Sequence, residues 1–322
     1  MTHKTGLWHA PVYLTVTIDT ECDKGPKWHC KNPLSFEGIH HGVGQVLQPV
    51  FQEFGARPTY LLSSEVIRDP ASRALFATMS GDEAELGTHL HGEFAESSER
   101  VPLATLDFQR NYGEALERAK LVQLTHDFEQ AFGHAPRSFR AGRFGIGEHS
   151  LGILQSLGYE VDSSVTPHMN WASSGAPGLD FRGAPMQPYA PDLNHPGKPG
   201  TARILEVPVT VNHSFGSGLP LVGTFFEPDW LRPTKVRGSR LQKTARRAIA
   251  NAAAASPEQP VVLTCMFHNV EVTPGMSPYA QTEAQAQSIV DSLRSLLAFA
   301  RSTGIRVVGL GELPRLLGHA SS

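Results

Sequence analysis

Four short clusters of ionisable residues in this 322-residue chain have the types and spacing for acid–base or metal chemistry. Asp19-Thr20-Glu21-Cys22-Asp23 packs three carboxylates into five residues, enough to bind a cation or take a proton from water. Gly87-Thr88-His89-Leu90-His91-Gly92-Glu93 offers two imidazoles one residue apart and a carboxylate. The pair can chelate a divalent ion through neutral nitrogens if the backbone bends after the strand. Phe139-Arg140-Ala141-Gly142-Arg143-Phe144-Gly145 sets two guanidinium groups in a glycine-broken turn, where one can hold a carboxylate and keep it ionised. Cys265-Met266-Phe267-His268-Asn269-Val270-Glu271 ends an apolar run in a histidine that could act as a general acid. Taken singly, each cluster has a plain alternative: a solvated turn, a surface arginine pair, or a packed core histidine.

What joins the clusters is the elements that would carry them. Strand-like runs fall at 12–18, 58–62, 84–88, 136–140, 159–162, 203–209, 261–267 and 305–309. Helical patterning falls between several of them, at 42–54, 104–132, 147–157, 240–255 and 282–303. The last is the clearest: Ile289, Leu293, Leu296, Leu297 and Ala300 share one face, Thr282 and Gln285 form a capping-box pattern, and Gly304 supplies a stop. The alternation predicts an α/β fold, a distorted (β/α) barrel of seven or eight mainly parallel strands, with an open doubly wound sheet as the other solution. Each cluster lies at the C-terminal end of a predicted strand. In parallel α/β architectures that edge collects ligands and catalytic groups, so sequence-distant residues can meet in one cleft.

Composition fits a globular protein. Hydrophobic residues make up 40% and charged residues 18%, and 28 Lys+Arg against 31 Asp+Glu leave a formal charge of -3, which argues against nucleic acid as a partner. No apolar run nears the roughly 18 residues of a membrane span, and the first strand begins too early for a signal peptide, so a cytoplasmic location is expected. Cys22, Cys30 and Cys265 are odd in number and lack zinc-type pairing, so reduced thiols are expected. The whole chain, 1–322, reads as one domain in which a Pro-, Gly-, Asn- and Ser-rich stretch at about 167–200 is a cleft-shaping loop. Trp171, Tyr189 and Trp230 lie in or near loops that could border that cleft. The basic residues of Lys235 to Arg247 (Lys235, Arg237, Arg240, Lys243, Arg246, Arg247) read as the solvated face of a helix, with an acidic or phosphate ligand as the alternative.

In this order the four clusters resemble the motifs of the polysaccharide deacetylase family (NodB-like domain, carbohydrate esterase family 4), over about residues 12 to 310. The first motif is echoed by Thr17-Ile18-Asp19-Thr20-Glu21, the histidine motif by the lead into His89, the arginine motif by Phe139-Arg140-Ala141-Gly142, and the last motif by Cys265-Met266-Phe267-His268. The resemblance implies a metal-dependent hydrolase of C–N (amide) bonds with a divalent ion, zinc foremost. On this sequence it makes Asp19 the base, Arg140 its orienting partner, His268 the acid and His89 a metal ligand. The chain departs from the family around the ion. Thr20 stands where a second Asp is adjacent to the first, so Glu21 must supply the oxygen ligand, with Asp23 in reserve. The place four residues past His89 is Glu93, so His91 becomes the second nitrogen ligand and Glu93 its competitor. The expected substrate is an N-acylated amino sugar or sugar-containing precursor, a small molecule or glycan. Two other functions suit the same fold: hydrolysis of a cyclic imide or ureide, and carbohydrate binding without catalysis. An amidohydrolase barrel also uses His-x-His, but on its first strand, whereas here the pair follows the third.

Overall fold

The computed structural model describes residues 10–79, 81–95, 108–213, 228–236 and 238–319. All eight expected strands form: β1 Val12–Thr20, β2 Thr59–Leu62, β3 Glu85–Leu90, β4 Ser138–Ala141, β5 Val161–Asp162, β6 Leu205–Glu206, and, after two short strands described below, β9 Val261–His268 and β10 Arg306–Val307. They build one parallel sheet. β9 pairs with β1 from Val12 to Asp19, so the other edge of β1 is shared, β10 taking Tyr13 and Leu14 and β2 taking Thr17 to Thr20. From β2 the sheet continues through β3, β4 and β5 to β6. Every residue of β1 is buried, as a strand flanked on both edges and both faces requires.

The barrel is distorted at one seam. β6 and β9 form no ladder with each other; irregular backbone fills the gap, with Thr210 N–H donating to Thr264 O at 3.1 Å and Thr264 N–H donating to the Thr210 hydroxyl at 2.8 Å. Lower on the same edge the Gln187 side-chain amide substitutes for a strand, accepting from Val262 N–H at 2.8 Å and donating to Val262 O at 3.2 Å. An unexpected antiparallel pair, β7 Val211–Asn212 and β8 Asp229–Trp230, packs over this region.

The helices are α1 Glu37–His40, α2 Gln48–Phe54, α3 Ser64–Arg68, α4 Pro70–Met79, α5 Glu114–Phe132, α6 Ser150–Ser156, α7 Ser239–Ala255, α8 Glu283–Thr303 and α9 Leu313–Leu316. The expected helix at 42–54 starts with a π-helical stretch, Gly42–Leu47, before α2. That at 104–132 starts only at Glu114, its positions 104–107 lying outside the described residues. The α3–α4 pair escapes the periodicity because Pro70 splits the segment into pieces too short to show a repeat. α8 carries the full capping box of Thr282 and Gln285 and ends at Gly304 in the left-handed conformation. α7 buries Leu241, Ala245, Ala248 and Ile249, and the Arg246 guanidinium lies 4.4 Å from the Phe299 ring centroid, so the basic stretch is largely a solvated helix face with Arg237 outside the described residues. No helix among the described residues is long and apolar enough to cross a membrane.

Candidate active site

Parallel pairing brings the clusters level with one another. Asp19 on β1 is in register with His268 on β9, and His89 on β3 with Arg140 on β4, so all four leave the sheet at its C-terminal edge. Asn269, just past β9, clasps the loop after β1: its side-chain oxygen accepts from Glu21 N–H at 2.9 Å and its amide donates to Glu21 O at 3.0 Å. Glu21 is thereby turned inward.

β3 ends at Leu90, and the N–H groups of Phe94 and Ala95 return to His91 O at 3.1 and 3.3 Å, closing a turn just after the strand. His89 and His91, two residues apart on the same face of the extended chain, have ring centroids 4.8 Å apart. Gly142 makes room for this turn: a Cβ there would lie 2.6 Å from Leu90 O and 3.1 Å from the His91 ring. Glu21 Oε1 sits 3.2 Å from His89 Nε2 and 2.9 Å from His91 Nε2, and the three residues' donor atoms lie within 4.8 Å of one another, all buried.

These residues fit a cation. His89 Nδ1 faces the Arg140 carbonyl at 2.9 Å and must donate to it, the usual outer contact of a metal-binding imidazole. In the neutral ring the other nitrogen presents its lone pair towards Glu21, an arrangement that suits a cation shared between them. Burial opposes ionisation of Glu21, yet Lys24 and then His91 hold its carboxyl well below the usual range. Burial likewise opposes the charge on His91, but Glu21 pushes it up to about 9.

Asp19 is held on the other side. The fully buried Arg140 donates to Asp19 Oδ1 at 2.6 Å and is itself braced by Ser163 O at 2.7 Å, Ser163 Oγ at 2.8 Å and Thr17 Oγ1 at 2.9 Å. Burial alone would raise the Asp19 carboxyl; Arg140 first, then His89 and His268, more than offset it and hold the group below its usual value. His268 Nε2 faces the same space, 4.0 Å from Asp19 Oδ2 and 3.8 Å from Glu21 Oε1. Its Nδ1 is 2.8 Å from Glu271 Oε1, and Glu271 is in turn held by Arg232 and Thr234. Trp28 packs edge-on against the His268 ring at 4.9 Å. Three buried carboxylates here thus each have a cation: Asp19 with Arg140, Glu21 with Lys24 at 2.7 Å, and Glu271 with Arg232.

The two reserve candidates stand apart. Asp23 caps the turn into α1, accepting from Ser35 Oγ, Glu37 N–H and Gly38 N–H at 2.7 to 2.9 Å. Glu93 pairs with Arg143 at 3.1 Å and lies against His91 Nδ1 at 3.4 Å, outside the Glu21–His89–His91 group. The stretch at 167–200 divides in two. Trp171 stacks on Phe144 at 5.7 Å, Trp230 lies 5.8 Å from the same ring, and Arg140 is 5.9 Å from it, so these aromatics pack beside Arg140; Phe144 and Trp230 are buried. Tyr189 instead lines, with Gln187, a separate cavity of about 700 Å³ at the β6–β9 seam, to which no candidate site residue contributes. Lys24, Asn269 and Glu271 had no role in the sequence reading, although all lie within three residues of a named candidate; Arg232 and Ser163 gave no signal, being close only in space.

No protein-family model and no curated protein matches the chain. Solved structures do. A protein assigned to the polysaccharide deacetylases from Mycobacterium smegmatis superposes with a TM-score of 0.52 at 15% identity, covering 97% of this chain and 95% of that one. Another so assigned, from Pseudomonas aeruginosa PAO1, gives 0.54 at 12% identity, covering 95% and 90%. Puue allantoinase gives 0.56 at 11% identity, covering 99% and 94%. At such identities the likeness establishes the fold: this chain has the distorted parallel barrel found in polysaccharide deacetylases and in an allantoinase.

Proposed function

We propose that this protein is a metal-dependent amide hydrolase that removes an N-acyl group, acetyl or formyl, from an amino sugar or a sugar-containing precursor. The observation that carries the proposal is the facing of Asp19 and His268 across the Glu21–His89–His91 group at one sheet edge. Glu21, His89 and His91 would hold a divalent cation, zinc by the preference of two imidazoles and a carboxylate. Such an ion polarises an amide carbonyl and acidifies water. Asp19, kept ionised by Arg140, takes the proton of the attacking water. His268, oriented by Glu271, gives a proton to the departing nitrogen. The names of the structural neighbours support cleavage of a C–N bond, and the allantoinase among them supports a cyclic ureide as the second substrate class.

A panel of N-acetyl and N-formyl amino sugars beside cyclic imides and ureides, assayed for amine or acid release with and without chelator, tests this. Release from an acylated sugar that chelator abolishes and zinc restores is expected. Ring opening alone would move the substrate to the second class. Sugar binding with no release and no bound cation would make the protein a binder.

A further inference from the structure

Cys22 and Cys30 lie at the two ends of the strap that leaves β1 just after Glu21, and neither thiol has a part in the proposed hydrolysis. Their sulfurs are 3.7 Å apart. Cys22 is completely buried and fixed by its N–H, which donates to Glu65 Oε1 at 3.1 Å, while Cys30 is exposed. Lys24 bridges the strap and the site, its Nζ 3.5 Å from Cys30 Sγ and 2.7 Å from Glu21 Oε2. Between the two cysteines Trp28 holds a left-handed backbone conformation (φ 58°) with its ring against His268.

We propose that Cys22 and Cys30 form a redox modification site, oxidised by a hydroperoxide to a disulfide that closes residues 22–30 into a ring beside the candidate active site. Cys30 is the attacking sulfur, since it is the one solvent reaches and the Lys24 ammonium favours a thiolate there. The Cys22 hydrogen bond draws the Cys30 thiol below its usual value, and Lys24 adds to this against the effect of partial burial. The thiolate breaks the O–O bond, forming a sulfenic acid and releasing an alcohol or water. Cys22 sulfur then attacks Cys30 sulfur, forming the S–S bond as the S–O bond breaks, and its proton leaves with the hydroxide as water. Two thiols and one hydroperoxide thus give one disulfide, one alcohol or water, and one water. The sulfurs need to close from 3.7 Å to about 2.05 Å, a distance that side-chain rotation can supply. Ring closure ties down the segment that carries Lys24 and Trp28, which touch Glu21 and His268 respectively.

The test needs neither substrate nor cation, so its outcome is separate from that of the hydrolase proposal. Purified full-length protein is treated with hydrogen peroxide, titrated for free thiols after denaturation, and digested with trypsin without reduction. Cleavage after Lys24 or Lys27 separates the two cysteines unless a disulfide joins them. The expected result is a fall from three free thiols to one, Cys265 remaining, with the Cys22 and Cys30 peptides linked and hydrogen exchange slowed at residues 25–29. Cys22→Ser should instead accumulate a dimedone-reactive sulfenic acid at Cys30, several-fold above wild type. Peptides that separate, or wild-type dimedone labelling equal to that of Cys22→Ser, would overturn the proposal.

Discussion

Arg140 and His89 are joined through the backbone: the Arg140 carbonyl accepts from His89 Nδ1 at 2.9 Å while the Arg140 side chain holds Asp19 at 2.6 Å. One residue therefore orients both a candidate ligand and the candidate base. Adjacent parallel strands make this possible, since β3 and β4 run in register at this pair. The base and the cation group cannot shift independently.

Arg140→Met should cost about 3–5 kcal/mol of stability, because it leaves the buried Asp19 carboxylate and the Ser163 carbonyl without their donor. Guanidinium unfolding measures it. Arg140→Lys should recover only part of the loss, as an ammonium cannot reproduce the fork. A change below about 1 kcal/mol for the Met variant would mean that the clamp is not structurally important.

Asp19→Asn and His89→Ala should separate base from ligand. Asp19→Asn should abolish turnover while the protein retains nearly its full cation content by elemental analysis. His89→Ala should lose the ion. If the Asn variant loses the ion instead, the roles of Asp19 and Glu21 are exchanged.

Glu271 acts on the reaction only through His268, which it meets at 2.8 Å. Glu271→Gln should therefore lower kcat by about 10- to 100-fold, the usual cost of removing a partner that orients a functional imidazole, with little change in KM or cation content. A rise in KM at unchanged kcat would place Glu271 in substrate binding.

Asp162 and Glu206 lie in register on β5 and β6, both fully buried. Burial raises both, and the neighbouring Asp162 carboxylate pushes Glu206 well above the ordinary value. A group raised on folding binds its proton more tightly in the folded state. Its contribution is full below the ordinary carboxyl value and is lost as pH rises through the raised one. The stability of wild type relative to Glu206→Gln should thus decline steadily from about pH 4 upward. Parallel curves would show that folding does not raise the Glu206 carboxyl.

Much of this protein was legible in its sequence for a local reason. Strands such as 12–18 and 261–267 declare themselves by apolar, β-branched runs, α8 by its caps and period, and the chemistry by ionisable residues at strand ends. The resemblance of its motifs to those of the deacetylases left Glu21 or Asp23 as the expected oxygen ligand and His91 or Glu93 as the expected ligand beside His89. Only the folded chain separates them in space. Asp23 is taken by the backbone donors of α1, Glu93 by Arg143, and His91, on the same face of the chain as His89, meets Glu21. Partners such as Arg232, and Ser163 beneath Arg140, come from distant segments, and no local pattern encodes a contact that exists only once parallel strands lie side by side.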